Sequence, residues 1–240
     1  MSDIKREYVD ILLKQIDIAY DSQKEKISRI AKMFYECQAN MGVVQLFGHK
    51  LNEEFVNELN YRAGGLVPFH AIKAKESAMQ GKLAKELVQT GEYLYKPETI
   101  DIVTSVYELD DRDMYVLVSI NGNEPFVIEM ARRAKEKGQK VVAVVNMASY
   151  KKNGGTLLDY ADEYLDMGAE EPDLAVEVNG IKAGQFGTTI SSVLAQMLTL
   201  ENYQLFIDDN KEAPILLSAN LAGSDAHNHE LCIPYGKRVD

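Results

Sequence analysis

The fold of this chain is decided by residues 114–125, which read MYVLVSINGNEP. The first seven of these residues are apolar or small and lack the alternation of a half-buried strand, so they predict a strand buried on both faces. Asn121-Gly122-Asn123 then marks a turn, and Pro125 suits the first position of a helix, where a missing N–H is tolerated. The segment therefore predicts the strand, turn and helix from which parallel sheets are built.

The same pattern extends to both sides of this segment. Continuous apolar runs alternate with helical patterns, which is typical of a parallel sheet covered on both faces. The predicted strands are residues 43–47, 66–72, 114–120, 141–145 and 163–166. The predicted helices are residues 52–62, 75–90, 126–137 and 188–201, with a short helical turn at 157–161. Residues 174–183 predict a small hairpin around Asn179-Gly180, and the tail from Leu216 onward is predicted to be irregular and polar.

Residues 1–40 carry a helical pattern outside this repeat. Apolar residues recur every three or four positions in two stripes, one within residues 4–19 and one within residues 27–37. Between the stripes, Ser22 and Glu25 form the signature of a capping box, which predicts that a second helix begins there. We therefore expect residues 1–40 to be a helical arm of two helices that covers one end of the core or contacts a partner subunit. Residues 41–240 are expected to form one α/β domain.

The composition excludes several classes of protein. Of the 240 residues, 46% are hydrophobic and 26% are charged, which is typical of a globular chain and excludes a disordered one. The formal net charge of −11 disfavours nucleic acids and anionic membranes as partners. Cys37 and Cys232 are the only cysteines, a usage typical of a reduced cytosolic protein. Because no signal-peptide pattern and no apolar stretch of roughly 20 residues is present, we expect a cytoplasmic protein.

Two loops are candidates for an anion site, because ligands of open parallel sheets bind beyond the carboxyl ends of the strands. In residues 119–123, hydroxyl and amide side chains stand beside a helix N-terminus, an arrangement that suits a phosphate. The same residue types also suit ordinary helix caps, and both interpretations stay open at this point. In residues 48–54, His49 and Lys50 are candidate phosphate contacts, whereas Glu53 and Glu54 in the first helical turn would compete with that anion.

The tail contains a third polar cluster, SANLAGSDAHNH at residues 218–229. His227 and His229 are two positions apart, a spacing that brings both to one metal ion only from a strand or a particular loop. We therefore expect no metal here, and instead a polar loop that closes over a ligand, with His227 as an acid–base group. The chain carries no glycine-rich nucleotide loop, no G-x-S-x-G and no H-E-x-x-H, so no cofactor is expected.

Three segments together resemble the SIS (sugar isomerase) domain family, in its stand-alone bacterial branch related to phosphoheptose isomerases. They are ELNYRAGGLVP at residues 58–68, S-x-N-G-N at residues 119–123 with IEMA at 128–131, and SAN with D-x-H-N at residues 218–228. The likeness covers nearly the whole chain from residue 4 onward. It implies a flavodoxin-like αβα sandwich with a five-stranded parallel sheet, a homodimer, and binding of a phosphorylated sugar.

The resemblance also implies roles for individual residues. Related isomerases interconvert aldose and ketose phosphates through an enediol, with a carboxylate that moves a proton between C1 and C2, in many cases without a metal. Carried over by position, Glu58 is the base, and His227 assists ring opening in its own subunit or in the neighbouring one. The residues implied to face the substrate or its phosphate are Ser119, Asn121, Gly122, Asn123, Thr188, Gly48 and His49.

The phosphate-binding loops of this chain are degenerate relative to that family. The glycine-serine-glycine-x-serine loop expected after the first strand is replaced by GHKLN at residues 48–52, which has neither serine. The expected Ser-x-Ser-Gly turn has become Ser119-Ile120-Asn121-Gly122. We therefore expect a phosphosugar-binding protein that is either an aldose–ketose isomerase or a non-catalytic binding or regulatory module. A third hypothesis is that the ligand is an unphosphorylated sugar derivative, with His49 and Lys50 as donors.

Overall fold

A computed structural model describes residues 3–168 and 173–239 of the chain. The helices are α1 (Ile4–Ala39), α2 (Glu53–Leu59), α3 (Ala74–Met79), α4 (Lys85–Thr90), α5 (Ile100–Thr104), α6 (Pro125–Glu136), α7 (Met147–Lys152), α8 (Gly187–Asp208) and α9 (Ser224–Cys232). The strands are β1 (Val44–Phe47), β2 (Phe69–Ala71), β3 (Met114–Val118), β4 (Val141–Val145), β5 (Glu163–Asp166), β6 (Leu174–Val178) and β7 (Ile181–Gln185). Short 3-10 turns lie between several of these elements, including the one predicted after α7, at Leu157–Tyr160.

Five strands form one parallel sheet in the order β2-β1-β3-β4-β5. Every residue of β1, β2, β3 and β4 is buried, which explains why their sequences show no alternation of apolar and polar residues. β5 lies at one edge of the sheet and keeps three of its four residues partly exposed. The flavodoxin-like three-layer αβα sandwich with a five-stranded parallel sheet, which the family resemblance implies, is confirmed.

Helices cover both faces of this sheet. α1, α2 and α8 pack on one face and share a buried apolar cluster with every second strand residue. α5 and α6 pack on the other face, together with the segments that connect α3 to β3. On the first face the rings of Phe34 and Phe69 meet edge to face, with their centroids 5.3 Å apart. The second half of the predicted N-terminal arm therefore contributes to the core of the domain.

The predicted arm is one helix, so the prediction of two helices was wrong. Ser22 Oγ donates to the carbonyl of Ile18 at 2.6 Å, so this hydroxyl bonds back within the helix and caps no new one. No Gly or Pro interrupts residues 4–39. Gln23 fixes the middle of the helix to β5, because its Nε2 donates to the carbonyl of Asp166 and its Oε1 accepts from the N–H of Asp166, both at 2.7 Å. Tertiary packing of one continuous face therefore outweighs the local capping signal.

Two predicted elements are shorter or divided. Residues 75–90 form two helices rather than one, because the chain turns at Gly81, whose φ of +73° lies in the left-handed region. Of the predicted strand at residues 66–72, only Phe69–Ala71 pairs with β1. Leu66 instead forms an isolated antiparallel bridge with Ile215, which brings the tail to the start of β2.

The C-terminal third of the chain holds one confirmed and one corrected prediction. β6 and β7 form the predicted hairpin, in which Asn179 and Gly180 have φ values of +51° and +78°. The tail is not irregular throughout, because α9 begins after Gly223 and includes residues 224–229 of the polar cluster that was expected to form a loop. Within the described residues, no helix is long and apolar enough to cross a bilayer.

The C-terminal segment packs at the amino end of the sheet. Arg238 pairs with Asp113, which directly precedes β3, and Arg238 Nη1 donates to the carbonyl of Met41 at 3.0 Å. A separate buried cluster joins the tail to residues that precede β1 and β2, and its members are Val43, Val67, Leu216, Tyr235 and Val239. Because the five strands are parallel, this segment lies at the amino end of the sheet, opposite to the carboxyl ends of the strands.

Candidate functional site

The sheet order identifies the place where a ligand site is expected. β1 and β3 are neighbours, but the chain continues from β1 to β2 on one side and from β3 to β4 on the other. In open α/β sheets, ligands bind in the crevice between loops that diverge in this way. The two loops are the β1–α2 loop (residues 48–52) and the β3–α6 loop (residues 119–124).

Ser119 is the first residue of the β3–α6 loop and is fully buried. Its Oγ accepts a hydrogen bond from the N–H of Gly122 at 2.8 Å and donates one to the carboxylate of Glu124. Glu124 is the N-cap residue of α6, yet its side chain makes no bond to the N–H groups of that helix. A carboxylate therefore lies on the Ser119 hydroxyl, beside the positive end of α6.

Asn121 and Asn123 are held by α7 and by the loop that follows it. Asn121 Oδ1 accepts from Ser149 Oγ at 2.6 Å. Asn123 Nδ2 donates to the carbonyl of Asn153 at 3.4 Å. Both amide side chains therefore fasten the turn to its neighbour on the sheet, and neither of them caps α6, whose N-cap residue is Glu124.

Gly48 and Gly122 are required by close approach of the backbone to its neighbours. Gly122 has a φ of +62°, and a Cβ there would lie 2.5 Å from the ring of Tyr150. A Cβ on Gly48 would lie 2.5 Å from the carbonyl oxygen of Asn52. Any larger residue at either position would displace backbone or ring atoms of the site.

His49 faces the segment that follows α4. Its Nδ1 lies 3.1 Å from the hydroxyl of Tyr93, and the two rings meet edge to face. Its Nε2 is buried and has no hydrogen-bond partner within residues 3–168 and 173–239. A Cβ on Gly91 would lie only 3.0 Å from this nitrogen, so the ring is covered from that side.

The two basic side chains of the β1–α2 loop, His49 and Lys50, offer little free positive charge to a ligand. Burial lowers the pKa of His49, and Lys50 lowers it further, although Glu53 and Glu124 act in the opposite direction. The imidazole is therefore neutral at neutral pH. Lys50 donates from its Nζ to the carbonyl of Thr90 at 3.1 Å. Its ammonium is thus held by the chain itself.

Glu58 and Thr188 lie on helices of the same face of the sheet. Glu58 Oε2 accepts from Gln196 Nε2 on α8 at 2.8 Å and also from Arg62. In the described part of the chain Glu58 Oε1 accepts no hydrogen bond, so one oxygen is anchored and the other is available. Thr188 lies in the first turn of α8 and is half-buried.

His227 is not brought together with Ser119 within one protomer. It lies on α9, and its Nε2 donates to the carbonyl of Ile215 at 3.0 Å. Ile215 pairs with Leu66 ahead of β2, at the amino end of the sheet. The polar tail therefore lies away from the loops of its own protomer, which leaves the neighbouring subunit as the alternative that the sequence analysis kept open.

Glu124 and Gln196 are the site residues that sequence reasoning missed. Glu124 precedes Pro125 at a helix start, which marks the N-cap position, but glutamate is not a usual cap residue, so the sequence gives no signal for its contact with Ser119. Gln196 had no local signal, because its contact with Glu58 joins residues 138 positions apart. Among the described residues, no group of three His, Cys, Asp or Glu side chains is arranged to hold a metal ion.

Comparison with known protein families and sequences gives a consistent result. The sequence model described as SIS domain matches residues 7–146 of this chain. A UPF0309 protein of Caldanaerobacter subterraneus is 30% identical, over 97% of this chain and 97% of the relative. A UPF0309 protein of Listeria monocytogenes serotype 4b is 27% identical, over 97% of this chain and 96% of the relative.

Solved structures with the same fold include a phosphoheptose isomerase and a sugar-phosphate complex. The phosphoheptose isomerase of Francisella tularensis gives a TM-score of 0.53 at 13% identity, covering 83% of this chain and 100% of that one. The Vibrio vulnificus NanR protein, complexed with ManNAc-6P, gives a TM-score of 0.51 at 13% identity, covering 98% of this chain and 70% of that one. A candidate phosphosugar isomerase of Silicibacter pomeroyi gives 0.54 at 16% identity, and this chain covers 56% of its length. At these identities the likeness shows the fold alone.

Proposed function

Because the chain belongs to the SIS domain family and, within it, to the UPF0309 proteins, we propose that it binds a phosphorylated sugar and interconverts its aldose and ketose forms. The sugar phosphate binds between the β1–α2 loop and the β3–α6 loop, beyond the carboxyl ends of the strands. Gly48, His49, Ser119, Asn121, Gly122, Asn123 and Thr188 are the residues assigned to this site. No metal or cofactor takes part in the proposed reaction.

The proposal rests on the position and burial of Ser119. It is a fully buried hydroxyl at the point where the sheet order reverses, and it stands beside the N-terminus of the twelve-residue helix α6. Backbone N–H groups and a helix N-terminus bind phosphate without any basic side chain. The net charge of −11 therefore does not oppose a small anionic ligand at this place.

Glu58 is the proposed base of the isomerisation. Its carboxylate removes the C2 proton of the open-chain aldose while the O2 proton moves to O1, which forms the enediolate intermediate. The protonated carboxyl group then gives its proton to C1, which yields the ketose. The free Oε1 suits this transfer, because Oε2 is held in place by Gln196 and Arg62. His227 is the proposed helper of ring opening, and it would reach the site from a second copy of the chain.

Exchange of the C2 proton for deuterium tests the isomerase. Wild-type protein is expected to exchange this proton in at least one hexose, heptose or amino-sugar 6-phosphate. Glu58→Gln is expected to reduce the rate by at least about a hundredfold and to keep the binding of the sugar phosphate. Glu136→Gln is the matched control, because Glu136 is exposed at the far end of α6, and its rate should be unchanged. Folded wild-type protein that exchanges no member of the panel would contradict the proposal.

A non-catalytic sugar-phosphate binding or regulatory module is the second candidate, and the contact between Glu124 and Ser119 favours it. The Glu124 carboxylate accepts the hydrogen bond of the Ser119 hydroxyl, which in an active phosphate-binding loop would be donated to the ligand. Thermal-shift measurements separate the candidates, because a ligand that binds only the native state raises the melting temperature. Stabilisation by sugar phosphates without proton exchange would establish the second candidate. Stabilisation by neutral sugars alone would instead support an unphosphorylated ligand.

We also propose a homodimer in the cytoplasm, in which the arm (residues 1–40) contacts a second copy and residues 41–240 form the SIS domain. Neither nucleic acid nor membrane is a proposed partner. Val9, Leu13 and Tyr20 support the dimer, because the first half of α1 leaves these apolar side chains exposed. Light scattering is expected to give twice the chain mass for the wild type and a monomer for Leu13→Glu. A monomeric wild type would contradict the dimer.

A further inference from the structure

Ser119 has a single hydroxyl proton, and this proton is directed to Glu124. The hydroxyl is buried, and it also accepts the N–H of Gly122 at 2.8 Å. A phosphate oxygen that accepted the same proton would need the place of the Glu124 carboxylate oxygen. The two anions therefore cannot use Ser119 at the same time.

Glu124 also shares the helix end with any bound phosphate. It is the N-cap residue of α6, but its side chain makes no cap bond, so the helix does not hold the carboxylate directly. A carboxylate at this end is favoured by the helix dipole, and a phosphate would gain from the same field. Departure of the side chain would free both the hydroxyl and the helix end.

Positive charge near Glu124 is scarce in the described part of the β1–α2 loop. The ammonium of Lys50 is bound to the carbonyl of Thr90 at 3.1 Å. His49 is neutral, because burial lowers its pKa even with Glu53 and Glu124 nearby. A phosphate that entered beside Glu124 would therefore meet a carboxylate whose charge is poorly offset.

We propose that Glu124 occupies the phosphate position of the unliganded protein and is displaced when a sugar phosphate binds, so that this residue sets the affinity of the site for phosphorylated ligands. This inference rests on the proposed function, because it concerns the same site. It identifies the carboxylate as an internal competitor of the ligand. Neutral sugars do not compete with it, so Glu124 also determines how strongly the site discriminates between charged and uncharged ligands.

Glu124→Gln tests this inference, because it keeps the shape and the accepting oxygen of the side chain and removes its charge. Calorimetric titration with inorganic phosphate and with glucose 6-phosphate measures the affinity of wild type and variant. The variant is expected to bind both at least about tenfold more tightly, which corresponds to about 1.4 kcal/mol. Glu136→Gln is the matched control, because it removes an equal charge from an exposed position at the opposite end of α6. Its affinities should change by less than about twofold.

The outcomes separate this inference from the proposed function. Binding by Glu124→Gln that is equal to or weaker than wild-type binding would overturn the inference and leave the proposed function standing. If neither protein bound phosphate, glucose 6-phosphate or any sugar phosphate of the exchange panel, both would fail. The double variant Ser119→Ala/Glu124→Gln should gain less affinity over Ser119→Ala than Glu124→Gln gains over the wild type, and an equal gain would mean a general charge effect, against the inference. If Glu124→Gln does not fold, Glu124→Asp is expected to raise the affinity in the same direction, because its shorter side chain withdraws from Ser119.

Discussion

At the amino end of the sheet, Asp113 is buried and accepts hydrogen bonds from two backbone N–H groups at 2.9 and 3.0 Å and from Gln45 Nε2 at 2.9 Å, and it pairs with Arg238. At the carboxyl end, Glu124 accepts the hydroxyl of Ser119 and makes no cap bond to its helix. A carboxylate with a full set of partners stabilises one arrangement of the chain. A carboxylate with few partners remains free to yield its place to a ligand. The comparison indicates that the amino end of the sheet serves stability, and it supports the proposal that the carboxyl end serves binding.

Replacing Asp113 is expected to cause the largest loss of stability. Asp113→Ala leaves the partly buried Arg238 without its partner and removes an acceptor from two backbone N–H groups, which should lower the free energy of unfolding by about 3–5 kcal/mol. Urea unfolding measures this change. Asp101→Ala removes a carboxylate from an exposed pair with Arg133 and should leave the midpoint unchanged. A loss below about 1 kcal/mol for Asp113→Ala would remove the basis of the comparison.

A methyl group at Gly122 should have the next largest effect on stability. Gly122→Ala places a Cβ 2.5 Å from the ring of Tyr150 at a φ of +62°, so strain and overpacking should together cost about 2–3 kcal/mol. Gly138→Ala is the matched control, because Gly138 also has a positive φ, of +75°, but no atom lies within 4 Å of its Cβ position. Its cost should be about 1 kcal/mol in the same urea experiment. Equal costs for the two variants would show that Tyr150 does not restrain the loop.

Removing the Ser119 hydroxyl should cost little stability and most of the ligand affinity. Ser119→Ala deletes one hydrogen bond to Gly122 and one to Glu124, so about 1 kcal/mol of stability is expected to be lost. The affinity for sugar phosphate should fall by at least about tenfold in calorimetry. Ser77→Ala is a control with a similar stability loss, because Ser77 is also fully buried and donates to the carbonyl of Val103 at 3.1 Å. Ligand binding by Ser77→Ala should be unaffected. If Ser77→Ala lost as much affinity as Ser119→Ala, the role of Ser119 would be purely structural.

The Cys37 thiol allows a pH-dependent test of the packing at the amino end of the sheet. At neutral pH its ionisation is not expected to change the stability of the protein. Burial, and then Asp113, raise the pKa of its thiol from 9.0 to about 12. Because the folded state favours the neutral thiol, this contribution to stability is present below pH 9 and is lost as the pH rises towards 12. At pH 8 the thiol of the Cys232→Ser variant should react with a disulfide reagent more than about a hundredfold more slowly in the folded protein than in urea. Similar rates in both states would show that this end of the sheet opens readily.

The sheet could be predicted because its signals are local. A strand buried on both faces needs a continuous apolar run, and residues 141–145 were predicted and observed as β4. Likewise the helix predicted at residues 126–137 is α6, Pro125–Glu136, which starts at proline and is followed by Gly138 with a left-handed φ. The predictions failed where a local signal competed with packing. Ser22 carried the pattern of a cap, but the face of α1 on either side of it is buried in one core.

The candidate site could be predicted only in part. Ser119 was found because it follows the most clearly predicted strand, and the carboxyl end of a parallel strand is where ligands bind. The contact of its hydroxyl with Glu124 spans only five residues, but it depends on the conformation of the loop, which the residue types alone do not predict. The contact of Glu58 with Gln196 gives no local signal, because it spans 138 residues of chain. His227 was assigned to a loop over the site, but α9 carries it to the carbonyl of Ile215.

The amino-acid sequence by itself determined the class of fold, the order of strands and helices along the chain and the loop that carries Ser119. Those properties follow from burial patterns and turn residues that act over a few positions. Only the tertiary structure decided that Glu124 takes the Ser119 hydroxyl, that Gln196 anchors Glu58 and that the tail packs at the opposite edge. The physical reason is that packing in three dimensions selects the partner of a side chain. Gln196 and the tail reach their contacts across long stretches of chain, and even the short-range contact of Glu124 with Ser119 depends on the conformation of the loop between β3 and α6.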